Sequence, residues 1–238
     1  MQTKDITYQG GGKTLTGYLA DGSNGKKTAG ILICHQGGGL RDHEKDRARM
    51  LAELGYVVFA CDMYGAVATT MEEAGPMMGE LSTNPALWQA RVQAGIDTLK
   101  AQPNVDAARL AAIGFCFGGG TMIQMCRWAK EMKCLVAFHP GMQGLPEKDD
   151  RPVVTKIMIH AGQKDPLIPA DARERFLKLM ADAKADCIYV NHAAAGHSFT
   201  DKTVAQFNIP NFEYHADTDH RSWAAMRALF DETLGKVG

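Results

Sequence analysis

Ile113-Gly114-Phe115-Cys116-Phe117-Gly118-Gly119-Gly120 is the stretch that decides how this chain folds. The apolar run 109–113 leads into it, and the run 121–130, which has helical character, leads away from it. A strand that enters a helix through Gly-x-Cys-x-Gly forms a strained turn called a nucleophile elbow, here with cysteine in place of the usual serine. The positive end of the helix favours a thiolate at Cys116. The alternative is a buried structural cysteine in a glycine-rich turn, and the stretch alone favours neither.

Length and composition are those of an ordinary globular domain. The 238 residues are enough for one α/β domain with a large core, and 45% of them are hydrophobic and 22% charged. The formal net charge of −1 gives no general attraction to nucleic acid or anionic lipid. We expect one domain over residues 1–238, in which residues 1–27 form an N-terminal hairpin packed on the same domain. The expected assembly is a monomer or a small homo-oligomer.

The positions of the six cysteines indicate whether the protein works in a reducing or an oxidising compartment. They lie at positions 34, 61, 116, 126, 134 and 187, and none of them forms a Cys-x-x-Cys pair. Most lie in apolar runs typical of strands, which indicates reduced thiols in a cytoplasmic protein. The N-terminus carries charge with no apolar segment behind it, and no apolar run approaches the roughly 20 residues of a membrane-spanning helix. We expect a cytoplasmic protein with no nucleic-acid or membrane partner.

Strand and helix patterns alternate along the chain. Strands are predicted at 5–8 and 14–19, which form the hairpin, and at 28–34, 56–61, 109–113, 133–138, 153–160 and 187–191. Helices are predicted at 42–54, 85–102, 121–130, 171–183 and 219–234, with Asp42 and the segment 217–219 as N-terminal caps. The segments 66–83 and 207–218 lack a regular pattern. This alternation predicts an α/β fold with a mostly parallel central sheet and helices on both faces.

A glycine-rich loop, His-Gln-Gly-Gly-Gly at 35–39, follows the buried strand 28–34 directly. Glycines at this position let backbone N–H groups approach a ligand closely. The loop is similar to the His-Gly-Gly-Gly element that supplies an oxyanion donor in esterases. A flexible loop with no catalytic role is the alternative.

Three loop residues agree with a catalytic triad in chain order and in position. Cys116, Asp165 and His197 follow three different strands in the order nucleophile, acid, histidine, and all lie at carboxyl ends of strands. Each residue alone has a structural alternative, because an aspartate before proline is common in turns and a histidine in a glycine loop is often structural. Their agreement predicts the triad. His139 is interpreted as a structural residue at a strand end.

Five motifs carry a family resemblance that covers the chain from about residue 28 to the C-terminus. They are GFCFGG at 114–119, LAELGYVVFACDMYG at 51–65, HAGQKDPLIP at 160–169, AGHSFT at 195–200 and DHRSW at 219–223. With these motifs the chain resembles the dienelactone hydrolase family of α/β-hydrolases. The resemblance implies a Cys–His–Asp triad of Cys116, His197 and Asp165, and oxyanion donors at the backbone N–H groups of Phe117 and Gly37. It also implies hydrolysis of carboxylic esters or lactones without a cofactor.

Two positions depart from the pattern of that family. Gln36 stands where well-studied members have a glutamate that helps to deprotonate the thiol, and an amide cannot take up a proton at neutral pH. Thiolate formation then falls to His197 and the helix dipole, while Glu44, in the first turn of a helix, is explained by a favourable charge–dipole contact. Thr200-Asp201 stand where those enzymes place an arginine that holds a substrate carboxylate. An acidic residue there argues against dienelactone itself as the natural substrate.

Several side chains are candidates for the substrate pocket. Tyr64 follows a buried strand, where residues face the ligand crevice, although a core or rim tyrosine fits equally well. Arg91, on the helix 85–102, is interpreted either as a structural arginine or as a partner for a substrate carboxylate. The methionines of the segment 66–83 are interpreted as packing residues or as a cap over the site. The predicted substrate-binding residues are Gln36, Tyr64, Trp88, Arg91 and Phe199.

The sequence therefore predicts a cofactor-independent hydrolase that acts on a small ester or lactone through a thioester on Cys116. A non-catalytic homologue that only binds small molecules is the alternative, and Gln36 is the reason for keeping it. A redox role for Cys116 lacks a resolving cysteine nearby in the sequence. A metal site at His215, Asp217, Asp219 and His220 matches no strong motif, so no metal is predicted.

Overall fold

The computed structural model describes residues 1–142 and 145–237. The chain forms two compact units, the first made of residues 1–112 with the chain end from Leu234, and the second of residues 113–233. The prediction of one domain over residues 1–238 stays a prediction. No helix in the described part of the chain is both long and apolar enough to cross a membrane.

The elements of the described residues alternate between strands and helices, which confirms the predicted α/β class. The strands are β1 Gln2–Gly10, β2 Lys13–Asp21, β3 Thr28–Cys34, β4 Val57–Cys61, β5 Val105–Phe115, β6 Met132–Phe138, β7 Lys156–Gly162 and β8 Cys187–His192. The α-helices are α1 Asp42–Glu53, α2 Met71–Ser82, α3 Pro85–Lys100, α4 Phe117–Met125, α5 Ala170–Asp182 and α6 Ala216–Leu234, and a short 3₁₀ helix covers Val204–Phe207.

The first unit contains the predicted N-terminal hairpin. Strands β1 and β2 pair antiparallel from Gln2↔Asp21 to Gly10↔Lys13, and β2 continues antiparallel onto β4. Strand β3 pairs parallel with β4, and every residue of both strands is buried. Continuous apolar runs such as these are typical of strands that are covered on both faces. The loops that follow β3 and β4 therefore leave the sheet from the same edge.

The second unit has a parallel arrangement. Strand β7 pairs parallel with β6 on one side and with β8 on the other. Strand β6 is buried except at Lys133, whereas β8 is half-buried with Ile188 and Asn191 exposed. Because parallel strands end at the same edge, the loops after β6, β7 and β8 leave the sheet together. These loops carry His139, Asp165 and His197.

Two helices are capped by residues that the sequence does not predict. The predicted N-cap Asp42 is the first helical residue of α1, because the buried carboxylate of Glu44 reaches back and accepts the N–H of Arg41 at 3.0 Å. Helix α6 begins at Ala216 rather than at 219, and the predicted cap at 217–219 is wrong. Nδ1 of His215 accepts the N–H of Thr218 at 3.3 Å, so this histidine caps the helix.

The segment 66–83, which has no regular sequence pattern, contains the helix α2. Thr70 caps it by accepting the N–H of Glu73 at 3.2 Å, and the helix continues through Pro76. Ala74 and Leu81 are its buried residues. Tertiary contacts thus stabilise a helix whose glycines and proline disfavour it locally.

Helix α4 begins at Phe117, immediately after Cys116, and not at 121. The glycines that follow Phe117 disfavour a helix by propensity, but one of them is required by packing. A Cβ on Gly119 would lie 2.9 Å from Cα of Pro140 and 3.0 Å from the carbonyl oxygen of Phe138. The helix can approach the end of β6 only because this side chain is absent.

Candidate active site

Cys116 lies on a strained turn between β5 and α4, as the nucleophile-elbow pattern predicts. Its backbone has φ 52° and ψ −109°, a conformation that is rare for residues other than glycine. A Cβ on Gly114 would lie 2.0 Å from the carbonyl oxygen of Gly118, so only glycine fits there. The N–H of Cys116 donates to the carbonyl of Phe138 at 3.1 Å, which ties the turn to the end of β6. The thiol side chain is half-buried, and all six cysteines are free.

Asp165 and His197 form a hydrogen-bonded pair in the second unit. Nδ1 of His197 lies 2.8 Å from Oδ2 of Asp165, and both side chains are fully shielded from solvent. The other carboxylate oxygen accepts the N–H of Leu167 at 2.8 Å, which fixes the plane of the carboxylate. Because a carboxylate only accepts, the proton of this bond belongs to Nδ1 of His197.

The loop that carries His197 is held by backbone hydrogen bonds on both sides of that residue. Its N–H donates to the carbonyl of Asn211 at 2.7 Å, and its carbonyl accepts the N–H of Glu213 at 3.1 Å. The ring of Phe212, between these two residues, packs on His197 with 4.5 Å between ring centroids. The backbone position of His197 is therefore fixed independently of its side chain.

The charge state of His197 depends on both predicted triad partners. Burial lowers its pKa, but attraction to Cys116 and hydrogen bonding to Asp165 and Cys116 outweigh burial and raise the pKa to about 10. Nε2 of His197 is buried and has no hydrogen bond of normal geometry in the described part of the chain. Together these interactions favour the protonated form of the His197 ring at neutral pH.

His139 lies at the end of β6, as predicted, and packs directly on His197. The two ring centroids are 5.1 Å apart with the ring planes at 71°. Nε2 of His139 is 2.8 Å from the hydroxyl oxygen of Thr200, and both side chains are buried. Phe199 packs edge-on against His139 at 5.1 Å. The sequence predicts neither the contact of His139 with Thr200 nor that of His197 with Phe212, since both contacts join residues that are distant along the chain.

The predicted oxyanion residue Phe117 is the first residue of α4. Its N–H therefore belongs to the first turn of a helix, where backbone donors have no partner within the helix and the dipole is positive. The following glycines keep bulky side chains away from this turn. The position of Phe117 directly after Cys116 is the position an oxyanion donor requires.

The loop with the second predicted donor, Gly37, lies in the first unit and is held by buried polar groups. The carbonyl of Gln36 lies 2.7 Å from Nδ1 of His35 and accepts the N–H of Gly39 at 3.2 Å. Met63 donates its N–H to Nε2 of His35 at 3.0 Å, so the neutral ring carries its proton on Nδ1 and donates it to Gln36. Burial lowers the pKa of His35, which agrees with a neutral ring.

Glu44 has a larger structural role than the predicted charge–dipole contact. Its side chain is fully buried. One carboxylate oxygen accepts the N–H of Gln36 at 3.1 Å, and the other accepts the N–H of Arg41 at 3.0 Å. Glu44 therefore ties the start of α1 to the glycine-rich loop. The sequence indicates an acidic residue in the first helical turn, but it does not indicate that this residue is buried.

Arg91 is occupied by groups of its own unit. Its guanidinium donates to both carboxylate oxygens of Glu80, at 2.7 and 3.3 Å, and to the carbonyl of Met63 at 2.7 Å. The side chain is only 2% exposed. These contacts favour the structural alternative for Arg91, which joins α3 to α2 and to the loop after β4.

The other predicted substrate-binding residues differ in burial. Tyr64 is 1% exposed and packs edge-on against His35 with 4.6 Å between centroids, and Phe199 is fully buried. Gln36 and Trp88 are half-buried. Their roles as pocket residues stay predictions. Asp201, which stands where an arginine holds a carboxylate in the resembled enzymes, is buried and accepts from the N–H and hydroxyl of Thr203.

The segment 215–220, with two histidines and two aspartates, does not form a metal site in the described structure. Within residues 1–142 and 145–237, no group of three or more histidine, cysteine, aspartate or glutamate side chains is arranged to hold a metal ion. Two of the four candidate ligands have other contacts. His215 caps α6, and Asp217 forms an ion pair with Arg221.

Comparison with known proteins gives one consistent result. Residues 15–234 match the dienelactone hydrolase family. The solved structure m3DLH is 36% identical, with a TM-score of 0.92 and 98% of both chains covered. A dienelactone hydrolase-like promiscuous phosphotriesterase from metagenomic libraries is 32% identical, with a TM-score of 0.88, and the match covers 98% of this chain and 99% of that one.

A curated relative gives the same assignment. A protein of Methylorubrum extorquens that is provisionally named a carboxymethylenebutenolidase is 27% identical over 197 residues, which are 78% of this chain and 68% of that protein. The residues that match the family, 15–234, include β5, Cys116 and the loops after β7 and β8, so they span every predicted triad position. The chain has the α/β-hydrolase fold and belongs to the dienelactone hydrolase family, a family of lactone and ester hydrolases.

Proposed function

We propose that this protein hydrolyses small carboxylic esters or lactones through a thioester on Cys116, with His197 and Asp165 completing the triad. The observation that carries the proposal is the buried hydrogen bond of 2.8 Å between Asp165 and His197, together with the pKa of His197 near 10 that Cys116 and Asp165 produce. A thiolate beside an imidazolium is the reactive state of a cysteine nucleophile.

In the first step the Cys116 thiolate attacks the carbonyl carbon of the ester. A C–S bond forms, the carbonyl π electrons move to oxygen, and a tetrahedral oxyanion results. The N–H of Phe117, at the N-terminus of α4, stabilises that oxyanion, and the family resemblance supports the N–H of Gly37 as the second donor. Losing one such donor typically costs about 10²–10³ in rate.

Collapse of the oxyanion breaks the ester C–O bond. The imidazolium of His197 gives its proton from Nε2 to the leaving alkoxide, which departs as an alcohol. Asp165 keeps the other ring proton on Nδ1 throughout, so that Nε2 is the nitrogen that exchanges protons. In a lactone the alcohol stays attached to the acyl group, and no fragment is released at this stage.

Hydrolysis of the thioester regenerates the enzyme. His197 takes a proton from water through Nε2 while the water oxygen attacks the thioester carbonyl. The C–S bond then breaks, the carboxylic acid leaves, and the thiolate–imidazolium pair is restored. Gln36 has no part in this proton transfer because an amide does not titrate, so His197 alone carries the proton.

The charged side chains Arg91 and Asp201 favour a substrate without a carboxylate. Arg91 already binds the carboxylate of Glu80, and Asp201 stands where related enzymes hold a substrate carboxylate. A carboxylate on the substrate would therefore gain little from Arg91, and position 201 offers it an acidic residue in place of the arginine of those enzymes. We infer a preference for neutral lactones and activated esters, such as enol and aryl esters, whose alcohols are good leaving groups.

Steady-state hydrolysis of 4-nitrophenyl acetate by two cysteine variants tests the proposal. Cys116→Ala removes the proposed nucleophile, and Cys187→Ala is the matched control, because Cys187 is also a free and half-buried thiol. We expect Cys116→Ala to lose turnover and Cys187→Ala to keep it. Equal turnover in the two variants would contradict the proposal, as would a wild-type protein that binds esters saturably without hydrolysing them.

A further inference from the structure

We propose that His139 is a positioning residue of the reaction, and that its ring, locked by Thr200, sets the orientation of the His197 imidazole relative to Cys116. The inference rests on the proposed function, since it assigns a role within the same site. His139 does not touch the reacting atoms in this account. It acts through the ring of His197.

The end of β6 contacts both Cys116 and His197. Phe138 accepts the N–H of Cys116 at 3.1 Å, and the next residue, His139, lays its ring on His197 at 5.1 Å. Two consecutive residues thus contact the proposed nucleophile and the proposed base. The end of β6 is therefore a rigid reference that relates the elbow to the loop after β8.

The His197 ring has limited freedom to tilt. One hydrogen bond, from Nδ1 to Asp165, leaves a ring free to tilt about that bond. Packing from the sides limits the tilt, and the rings of His139 and Phe212 both contact His197. The tilt of the ring sets the direction of Nε2. That direction decides whether Nε2 reaches the sulfur and the leaving oxygen.

His139 is itself held firmly. Its N–H donates to the carbonyl of His160 at 2.8 Å, and its Nε2 is 2.8 Å from the hydroxyl oxygen of Thr200. Thr200 lies on the same loop as His197, three residues further along. The backbone of His139 has φ 38°, a left-handed conformation that a histidine keeps only when surrounding contacts enforce it.

The amino-acid type at position 139 fits this role. A phenylalanine would supply the ring but would leave the Thr200 hydroxyl without this partner. An asparagine would tolerate the left-handed backbone and could bond to a hydroxyl, but it would leave space beside His197. Histidine supplies a planar ring and a polar nitrogen at its tip together.

The experiment compares two threonine variants that lose similar hydrogen bonds. Thr200→Val removes the hydroxyl that locks His139 and leaves the His139 ring in place. Thr155→Val is the matched control, because the Thr155 hydroxyl is also buried and donates to the carbonyl of Ala129 at 2.8 Å. Steady-state kinetics with 4-nitrophenyl acetate and thermal denaturation are measured for both. His139→Phe is the second variant at the proposed contact.

We expect Thr200→Val and His139→Phe to lower kcat about 10- to 10²-fold, with KM within about twofold of the wild-type value. Thr155→Val should lose as much thermal stability as Thr200→Val while keeping kcat. A kcat within about twofold of wild type in Thr200→Val would overturn the proposal, even if His139→Phe does not fold. Equal loss of kcat in Thr200→Val and Thr155→Val would also overturn it.

Failure of the proposed function has a different signature. A wild-type protein that turns over the ester without acylation of Cys116 contradicts the thioester route. The comparison of Thr200→Val with Thr155→Val still reports on His139 in that case, because it depends on turnover and not on the nucleophile.

Discussion

Nδ1 of His197 lies 2.8 Å from Oδ2 of Asp165, and neither side chain is reached by solvent. A charge-assisted hydrogen bond in such surroundings is strong, and it decides which ring nitrogen carries the proton. Since Nδ1 donates to the carboxylate, Nε2 is the nitrogen available for proton exchange with the thiol and with water. The first prediction follows from this bond.

Asp165→Asn is expected to lower kcat for 4-nitrophenyl acetate by about 10³–10⁴. The variant amide can use its oxygen for the N–H of Leu167, which leaves its NH₂ group facing Nδ1 of His197. The ring then adopts the opposite tautomer, with the proton on Nε2, and cannot accept one from the thiol. Thermal denaturation should show a folded protein, since the side chain keeps its size. Turnover near the wild-type rate in this folded variant would remove Asp165 from the mechanism.

The second prediction concerns stability and pH. The pKa of His197 is raised from 6.5 to about 10 in the folded protein, so the folded state binds this proton more tightly than the unfolded state. The resulting stabilisation is complete below about pH 6.5 and is lost as the pH rises toward 10. The free energy of unfolding, measured in urea, should fall across this range more steeply in the wild type than in His197→Gln. Parallel curves for the two proteins would contradict the raised pKa.

The same experiment on Cys116→Ala separates the causes of that shift. Attraction to Cys116 is the largest contribution that raises the pKa of His197. Without the sulfur, burial should lower this pKa, so the loss of stability that begins near pH 6.5 should be smaller and should end at a lower pH. An unchanged pH dependence would assign the shift to Asp165 alone.

The third prediction tests the elbow. Gly114→Ala places a Cβ 2.0 Å from the backbone oxygen of Gly118, and a backbone atom cannot move aside as a flexible side chain can. We expect a loss of about 3 kcal/mol or more in the free energy of unfolding. Gly141→Ala is the control, because nothing in the described structure lies within 4 Å of its added Cβ. Similar denaturation curves for the two variants would show that the turn does not require a glycine.

The fourth prediction addresses the ion pair that ties α2 to α3. Glu80→Ala removes the carboxylate that binds the Arg91 guanidinium and leaves the carbonyl of Met63 as the acceptor that remains of these contacts; the Arg91 side chain is only 2% exposed. Losing hydrogen bonds to a buried charge should cost about 1.5–3 kcal/mol. Asp182→Ala removes the surface pair with Lys178, whose side chains are 68% and 56% exposed, and should cost less than about 1 kcal/mol. Equal losses of unfolding free energy in Glu80→Ala and Asp182→Ala would indicate that Arg91 is solvated like a surface side chain.

The same pair yields a prediction on substrate choice. Because Glu80 occupies Arg91, an ester with a free carboxylate on its acyl chain should be hydrolysed with a lower kcat/KM than a neutral ester of the same length. The measurement compares 4-nitrophenyl butyrate with the corresponding 4-nitrophenyl hemisuccinate. A kcat/KM more than tenfold higher for the charged ester would contradict the inferred preference for neutral substrates.

The sequence predicts those parts of the fold that depend on local patterns. Buried strands such as Thr28–Cys34 are continuous apolar runs, and Gly-x-Cys-x-Gly requires a sharp turn whatever surrounds it. Helix ends were less predictable. The sequence predicts Asp42 and the segment 217–219 as caps, whereas Glu44 and His215 bind the free N–H groups in the structure. Burial and contacts with distant groups decide which polar side chain reaches these N–H groups.

The candidate site shows the same division. Chain order and position at strand ends are enough to predict a triad of Cys116, Asp165 and His197, because the carboxyl ends of parallel strands always lie at one edge of the sheet. The contact between His139 and His197 depends on a left-handed backbone at the end of β6 and on a hydroxyl three residues past His197. Neither has a periodic signal. The engagement of Arg91 by Glu80 similarly depends on α2, which the sequence pattern does not reveal.

Intact-mass spectrometry during turnover of 4-nitrophenyl acetate tests the central claim most directly. The account predicts an acetyl adduct on the wild-type protein that maps to Cys116, is absent from Cys116→Ala, and decays as acetate is released. In Asp165→Asn the adduct should form far more slowly. Turnover with no adduct on Cys116, or an adduct that forms and never decays, would contradict a hydrolase that works through a thioester.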